Sequence, residues 1–102
     1  MRNLETMTKD ERSLLLFFET CAVDYGGKID ARHMNDEDFN IAKQWNTEGF
    51  IEFGRIRFHD IVGKQTHWVT LSIDAWVLAH TERKARAERL IAKQTFEKVM
   101  SN

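Results

Sequence analysis

The chain has 102 residues, 15 Lys+Arg, 16 Asp+Glu and a formal net charge of −1. That length supports one domain with one modest core, because a chain this short hides only ~60–70% of its unfolded surface. The 42% hydrophobic and 30% charged content argues against a disordered chain, and the longest apolar run, Leu14-Leu15-Leu16-Phe17-Phe18, falls short of the ~18 residues of a membrane helix. The start Met1-Arg2-Asn3-Leu4-Glu5 carries an acid where a secretory signal needs apolar residues, and the single cysteine, Cys21, cannot close an intrachain disulfide. Both features predict a reduced, cytoplasmic protein with no membrane partner. The charge is uneven: residues 1–50 hold 6 basic and 10 acidic side chains, net −4, and residues 51–102 hold 9 and 6, net +3. A uniformly basic nucleic-acid binder is excluded; a locally basic surface is not.

In chain order, Thr8-Lys9-Asp10-Glu11 predicts a capping box. Leu14, Phe18, Cys21, Ala22 and Tyr25 then recur at helical spacing as a buried face that Leu15 and Phe17 widen. Gly26-Gly27 ends this helix and Lys28-Ile29 leaves room for a stub of strand. Asp30 caps a one-turn helix from Ala31 to Met34. Asn35 caps the next helix, whose first turn carries Asp36, Glu37 and Asp38 at the positive end of its dipole. Phe39, Ile41, Ala42 and Trp45 form its buried side; Asp36, Glu37, Asn40, Lys43, Gln44 and Thr47 stay outside, and Gly49 ends it.

From Phe50 the period becomes two. Ile51 and Phe53 alternate, Ile56 and Phe58 alternate on the opposite parity, and Gly54 marks a bulge or bend between them. Gly63-Lys64-Gln65-Thr66 predicts a turn joining strands Ile56–Val62 and His67–Ser72. With Val62 opposite His67, the residues Phe58, Val69 and Leu71 face inward, while Arg57, His59, Ile61, Trp68 and Thr70 face outward. Ser72 or Asp74 caps a last helix packed through Trp76, His80, Ala87, Leu90 and Ile91, with Arg83, Lys84, Arg86 and Arg89 mostly solvated. Beyond Gln94 the apolar positions drift to Phe96, Val99 and Met100, which either fray or meet a partner chain.

This order, α-β-α-α-β-β plus a long C-terminal helix, resembles the winged helix-turn-helix domain: an α+β, mainly α fold. Asp30 to Gly49, closing on Glu48-Gly49-Phe50-Ile51, resembles its two-helix reader. Arg55-Ile56-Arg57-Phe58 through Val69-Thr70-Leu71-Ser72 resembles the wing hairpin, and Trp76 to Leu90 the helix that follows the wing and often mediates pairing. The likeness covers residues 8–92 of a single domain spanning 1–102, with the last helix at 73–100. It implies double-stranded DNA as partner, read in the major groove by Asn40, Lys43, Gln44 and Thr47, with phosphate contacts from Arg55, Arg57, Lys64 and Gln65. It also implies a transcriptional regulator acting as a homodimer. The acids Asp36, Glu37 and Asp38 depart from that pattern, because carboxylates at the front of a reading helix repel phosphate.

Other chemistry is less well supported. No pair among His33, His59, His67 and His80 has zinc-ligand spacing, and Cys21 sits among apolar and acidic neighbours that do not activate a thiol. The three acids fit no calcium loop. No enzyme activity, metal or cofactor is expected. The alternative function is a protein-interaction module docking through the acidic reading helix and an outward cross-strand pair, Ile61 and Trp68. That pair is either an interface or lies covered by the last helix or a shifted register.

Overall fold

In the computed structural model, which describes the backbone of residues 2–100 and side chains through residue 95, helix ends fall where local hydrogen bonding puts them. Helix α1 (Lys9–Asp24) begins in a capping box: Glu11 N–H donates to Thr8 Oγ1 at 3.1 Å, and the Glu11 carboxylate accepts from Thr8 N–H at 3.0 Å. Helix α2 (Asp36–Glu48) begins in a second box, Asn35 with Asp38, and stops at Gly49 in the left-handed conformation, φ +77. Between them lie strand β1 (Lys28–Ile29) and a 3-10 turn, Ala31–His33, capped by Asp30. Strands β2 (Ile51–Arg55) and β3 (His67–Leu71) precede helix α3 (Ile73–Met100), whose Ala75 N–H donates to Ser72 Oγ at 3.1 Å. The architecture is α+β and mainly helical, three helices with a small three-stranded antiparallel sheet in the order β1-β3-β2.

The sheet register differs from the one read in the sequence. β3 pairs with Ile51–Arg55 rather than with Ile56–Val62: Ile51 faces Leu71, Phe53 faces Val69 and Arg55 faces His67. The reason is competition for one edge. β1 takes the far edge of β3, with Lys28 opposite Trp68 and Ile29 opposite His67, so a single edge remains for one of two alternating segments. Ile51 and Phe53 emerge directly from the Gly49 stop and bring their side chains onto the core face already formed by Phe18 and Trp45. Residues 56–66 are then left as a loop with a 3-10 turn at Phe58–Asp60, and Phe58, expected inside, is 84% exposed. Gly54 is no bulge. It sits in the regular ladder opposite Trp68, whose indole lies where a Cβ at position 54 would be, only 2.8–2.9 Å from that point.

The core gathers Leu14, Leu15 and Phe18 of α1, Trp45 of α2 and Ile51, Val69 and Leu71 of the sheet. Trp45, 1% exposed, meets Phe18 and Phe50 edge-on. Arg2 closes this end: its guanidinium lies 4.6 Å from the Phe50 ring centroid and pairs with Glu48 and Glu11. Tyr25, read as buried, is exposed because the α1 face turns through Leu16 and Glu19 instead.

Helix α3 is also rotated relative to its sequence reading. Trp76, His80, Ala87, Leu90 and Ile91 are exposed; Ala75, Ala79 and Glu82 are buried, with Leu78 partly so. Alanines let the helix approach α1 and β3 closely, a signal that large-apolar counting misses. The basic run is not simply solvated. Arg83 pairs with the buried Glu19 and donates to the Leu16 carbonyl oxygen and the Thr20 hydroxyl. Arg86 and Arg89 both bind Glu82, at 3.0 and 3.1 Å. Burial would raise the Glu82 carboxyl, but the hydrogen bonds from Arg86 and Arg89 hold it below its ordinary value.

The register is directly testable by denaturation. Ile51→Ala, at a fully buried position, is expected to lower unfolding free energy by ~2–5 kcal/mol. Phe58→Ala is expected to change it by less than about 0.5 kcal/mol, as for an exposed site. A large loss at Phe58 would restore the 56–62 pairing.

Candidate nucleic-acid interface

The surface of interest is built from one helix face and one loop. α2 lies along the free edge of β2, fixed there by a bond that the sequence does not advertise: Phe53 N–H donates to Asn46 Oδ1 at 3.1 Å. Without it, an edge-strand N–H would need water. The Phe39 ring, about two turns earlier, packs against Phe53 and His67, with centroids 6.1 and 5.4 Å apart. These contacts turn Asn40, Lys43, Gln44 and Thr47 outward together, all exposed. Two of the four have internal commitments. Gln44 donates to Glu48 at 3.0 Å, and the Thr47 hydroxyl donates to the Lys43 carbonyl oxygen at 3.1 Å. Asn40 and Lys43 are free of such side-chain bonds among the described residues.

Asp38 is turned into the Asn35 cap, so the acidic front presents Asp36 and Glu37 outward rather than three carboxylates. At the end of β2 and in the loop after it stand the cations. Arg55, Arg57 and Lys64 are exposed, and none of them joins a salt bridge among the described residues. Gln65, unlike them, is half-buried. It lines a groove on the β1 side with Lys28, His33 and Tyr25.

A cleft of about 590 Å³ lies between the front of α2 and this loop, lined by Phe39, Arg55, Ile56, Phe58, Ile61 and His67. His67 stacks on Phe53 at 5.5 Å and its Nδ1 lies 2.9 Å from Thr66 Oγ1. Burial first, and the Arg55 charge second, lower its pKa, so the ring is neutral at pH 7.

The expected Ile61–Trp68 cross-strand pair is not formed. Trp68 lies between Gly54 and Lys28 in the ladder, 37% exposed, while Ile61 sits in the loop, part of the cleft wall. The exposed apolar side chains of this region are Phe58 and Val62. Phe96, Val99 and Met100 lie outside the described side chains. Cys21 is buried, and burial with the nearby Asp24 charge pushes its thiol up to about 11, far from a thiolate at neutral pH. Among the described residues no group of three His, Cys, Asp or Glu could hold a metal ion, and no helix is long and apolar enough to cross a membrane.

The lowered His67 pKa has a stability consequence. The unfolded chain binds a proton at higher pH than the native one, so stability contributed here is present above the unfolded histidine value and is lost as pH falls below it. His67→Phe, which keeps an aromatic ring against Phe53, is expected to flatten the loss of urea midpoint between about pH 7 and pH 5. An unchanged slope would assign the loss to other groups. Comparison of the chain with protein-family models, with curated proteins and with solved structures finds no match.

Proposed function

We propose that the chain is a winged-helix DNA-binding protein, a transcriptional regulator acting as a homodimer. The supporting observation is the exposed face of α2, where Asn40 and Lys43 make no side-chain hydrogen bond among the described residues, together with the exposed cations Arg55, Arg57 and Lys64, which join no salt bridge among the described residues. On this reading α2 is the reader, the 3-10 turn Ala31–His33 stands in place of the helix before it, and residues 56–66 are the wing. Arg55, Arg57 and Lys64 supply the phosphate contacts that dominate affinity, Lys43 reaches a guanine edge or a phosphate, and Asn40 suits adenine. Asp36 and Glu37 repel phosphate at the front of α2, so contact falls on its middle and C-terminal turns.

A second reading, docking to a protein, draws its own support from the exposed Phe58 and Val62 and from the outward carboxylates Asp36 and Glu37. It calls for Phe58→Ala to abolish capture of a partner without altering the fold.

Fluorescence anisotropy on random-sequence duplex separates the two. Binding is expected at ~50 mM salt, weakening steeply as salt rises. Arg57→Ala should lower affinity for all sequences and reduce the salt slope by about one, whereas Lys43→Ala should change sequence preference. No binding at tens of micromolar protein and about 50 mM salt would sink the DNA reading.

A further inference from the structure

Helix α3 is longer than the body that supports it. Its 28 residues span about 42 Å, yet side chains stop being covered after Arg86, and residues 87–95 are exposed throughout. An isolated helical segment of that length is marginal in water. The face opposite the buried Ala75, Ala79 and Glu82 carries Ile73, Val77, His80, Lys84, Ala87 and Ile91, at alternating spacings of four and three residues. That spacing draws one straight seam along a helix of the kind that pairs with another helix. Every member is exposed; Ile73 is 81% and Ile91 61% accessible.

The chemistry of this seam reads the same from either end: two apolar residues, two polar, two apolar. We propose that it is the interface with a second copy of this chain, the two α3 helices lying antiparallel across a two-fold axis at the level of residue 82. Ile73 then meets Ile91 of the second copy, Val77 meets Ala87, and His80 meets Lys84, each contact occurring twice as a two-fold interface requires. A parallel arrangement would instead stack Lys84 on Lys84. The unsupported half of each helix thereby lies on the supported half of the other.

The receiving surface is shaped for this. A groove of about 710 Å³ runs beside the seam between α1 and α3, lined in part by Thr20, Val23, Asp24, Trp76, Val77 and Thr81. Antiparallel pairing brings Leu90 and Ile91 of the second copy toward Trp76 and the exposed Val23. It also brings Lys84 of the second copy beside Asp24, a carboxylate with no ion pair among the described residues. The interface rests on the dimer part of the reading above and not on DNA.

Light scattering on the wild-type chain at about 100 µM should give a mass near 24 kDa, twice the 12.0 kDa of one chain. Val77→Glu should return it to one chain with unchanged helical circular dichroism, because Val77 is exposed within the single chain. Under mild oxidation, the Val77→Cys/Ala87→Cys double variant should run as a covalent dimer on a non-reducing gel, with a short bis-maleimide giving the same product. Each single variant should not, since antiparallel geometry separates identical positions; positions 77 and 87 are about 15 Å apart along one helix and cannot close within a chain. Crosslinking by Val77→Cys alone overturns the antiparallel register. A doubled mass without crosslinking in the double variant overturns this surface while leaving the homodimer standing. A monomer at all concentrations overturns both. The DNA titration of the Val77→Glu variant at low salt reports separately on DNA binding.

Discussion

Strand β3 has two edges and one buried face, and the rest of the molecule is arranged around how these are filled. One edge takes β1, brought in close by Gly27, where any Cβ would meet the Val69 carbonyl oxygen at 2.6 Å. The other takes Ile51–Arg55. Val69 and Leu71 complete the core face with Ile51, and the aromatic cluster of Phe18, Phe39, Phe53 and His67 is assembled across it. Because β2 ends at Arg55, residues 56–66 become a projecting loop instead of a strand. Arg57, Phe58 and Lys64 owe their exposure to that single choice of partner.

A polar seam does for α3 what the sheet register does for the loop. Two carboxylates, Glu19 and Glu82, are buried between α1 and α3, and each is met by arginine. A buried carboxylate left alone is costly, so these pairs admit few rotational settings of the helix. In the observed setting Ala75 and Ala79 face the core. Ile73, Val77 and Ile91 are turned to solvent as a consequence, since they occupy the opposite side of the same helix.

The near-zero net charge conceals a division of labour. Much of the basic character of residues 51–102 is spent internally, on Glu19 and Glu82, and part of the acidic character of residues 1–50 sits in caps: Glu11, Asp30 and Asp38. Outside those pairs, Lys43, Arg55, Arg57 and Lys64 are exposed with no salt bridge among the described residues, as are the carboxylates Asp36 and Glu37.

Features that depend on a few consecutive residues were legible in the sequence. The Thr8 box, the Asn35 cap, the Gly49 stop, the short β1 and the outward face of α2 are settled by bonds spanning three or four residues or by backbone conformation. So was the α+β, mainly helical class. Which of two alternating segments pairs with β3 was not legible, because Ile51–Phe53 and Ile56–Phe58 carry equivalent local patterns; only the shared core with Phe18 and Trp45 and the single vacant edge distinguish them. The rotation of α3 was hidden likewise. Alanine is a weak hydropathy marker, and a buried glutamate reads as surface until the arginines that neutralise it are in place. The candidate site follows the same division: the sequence determined which side chains α2 presents, while the tertiary structure decided that Arg55, Arg57 and Lys64 are exposed with no salt bridge among the described residues, that Gln65 lines the groove beside β1 and that Trp68 lies over Gly54. Local chemistry fixes where elements begin and end, and competition for a limited buried surface fixes which faces are left for a partner.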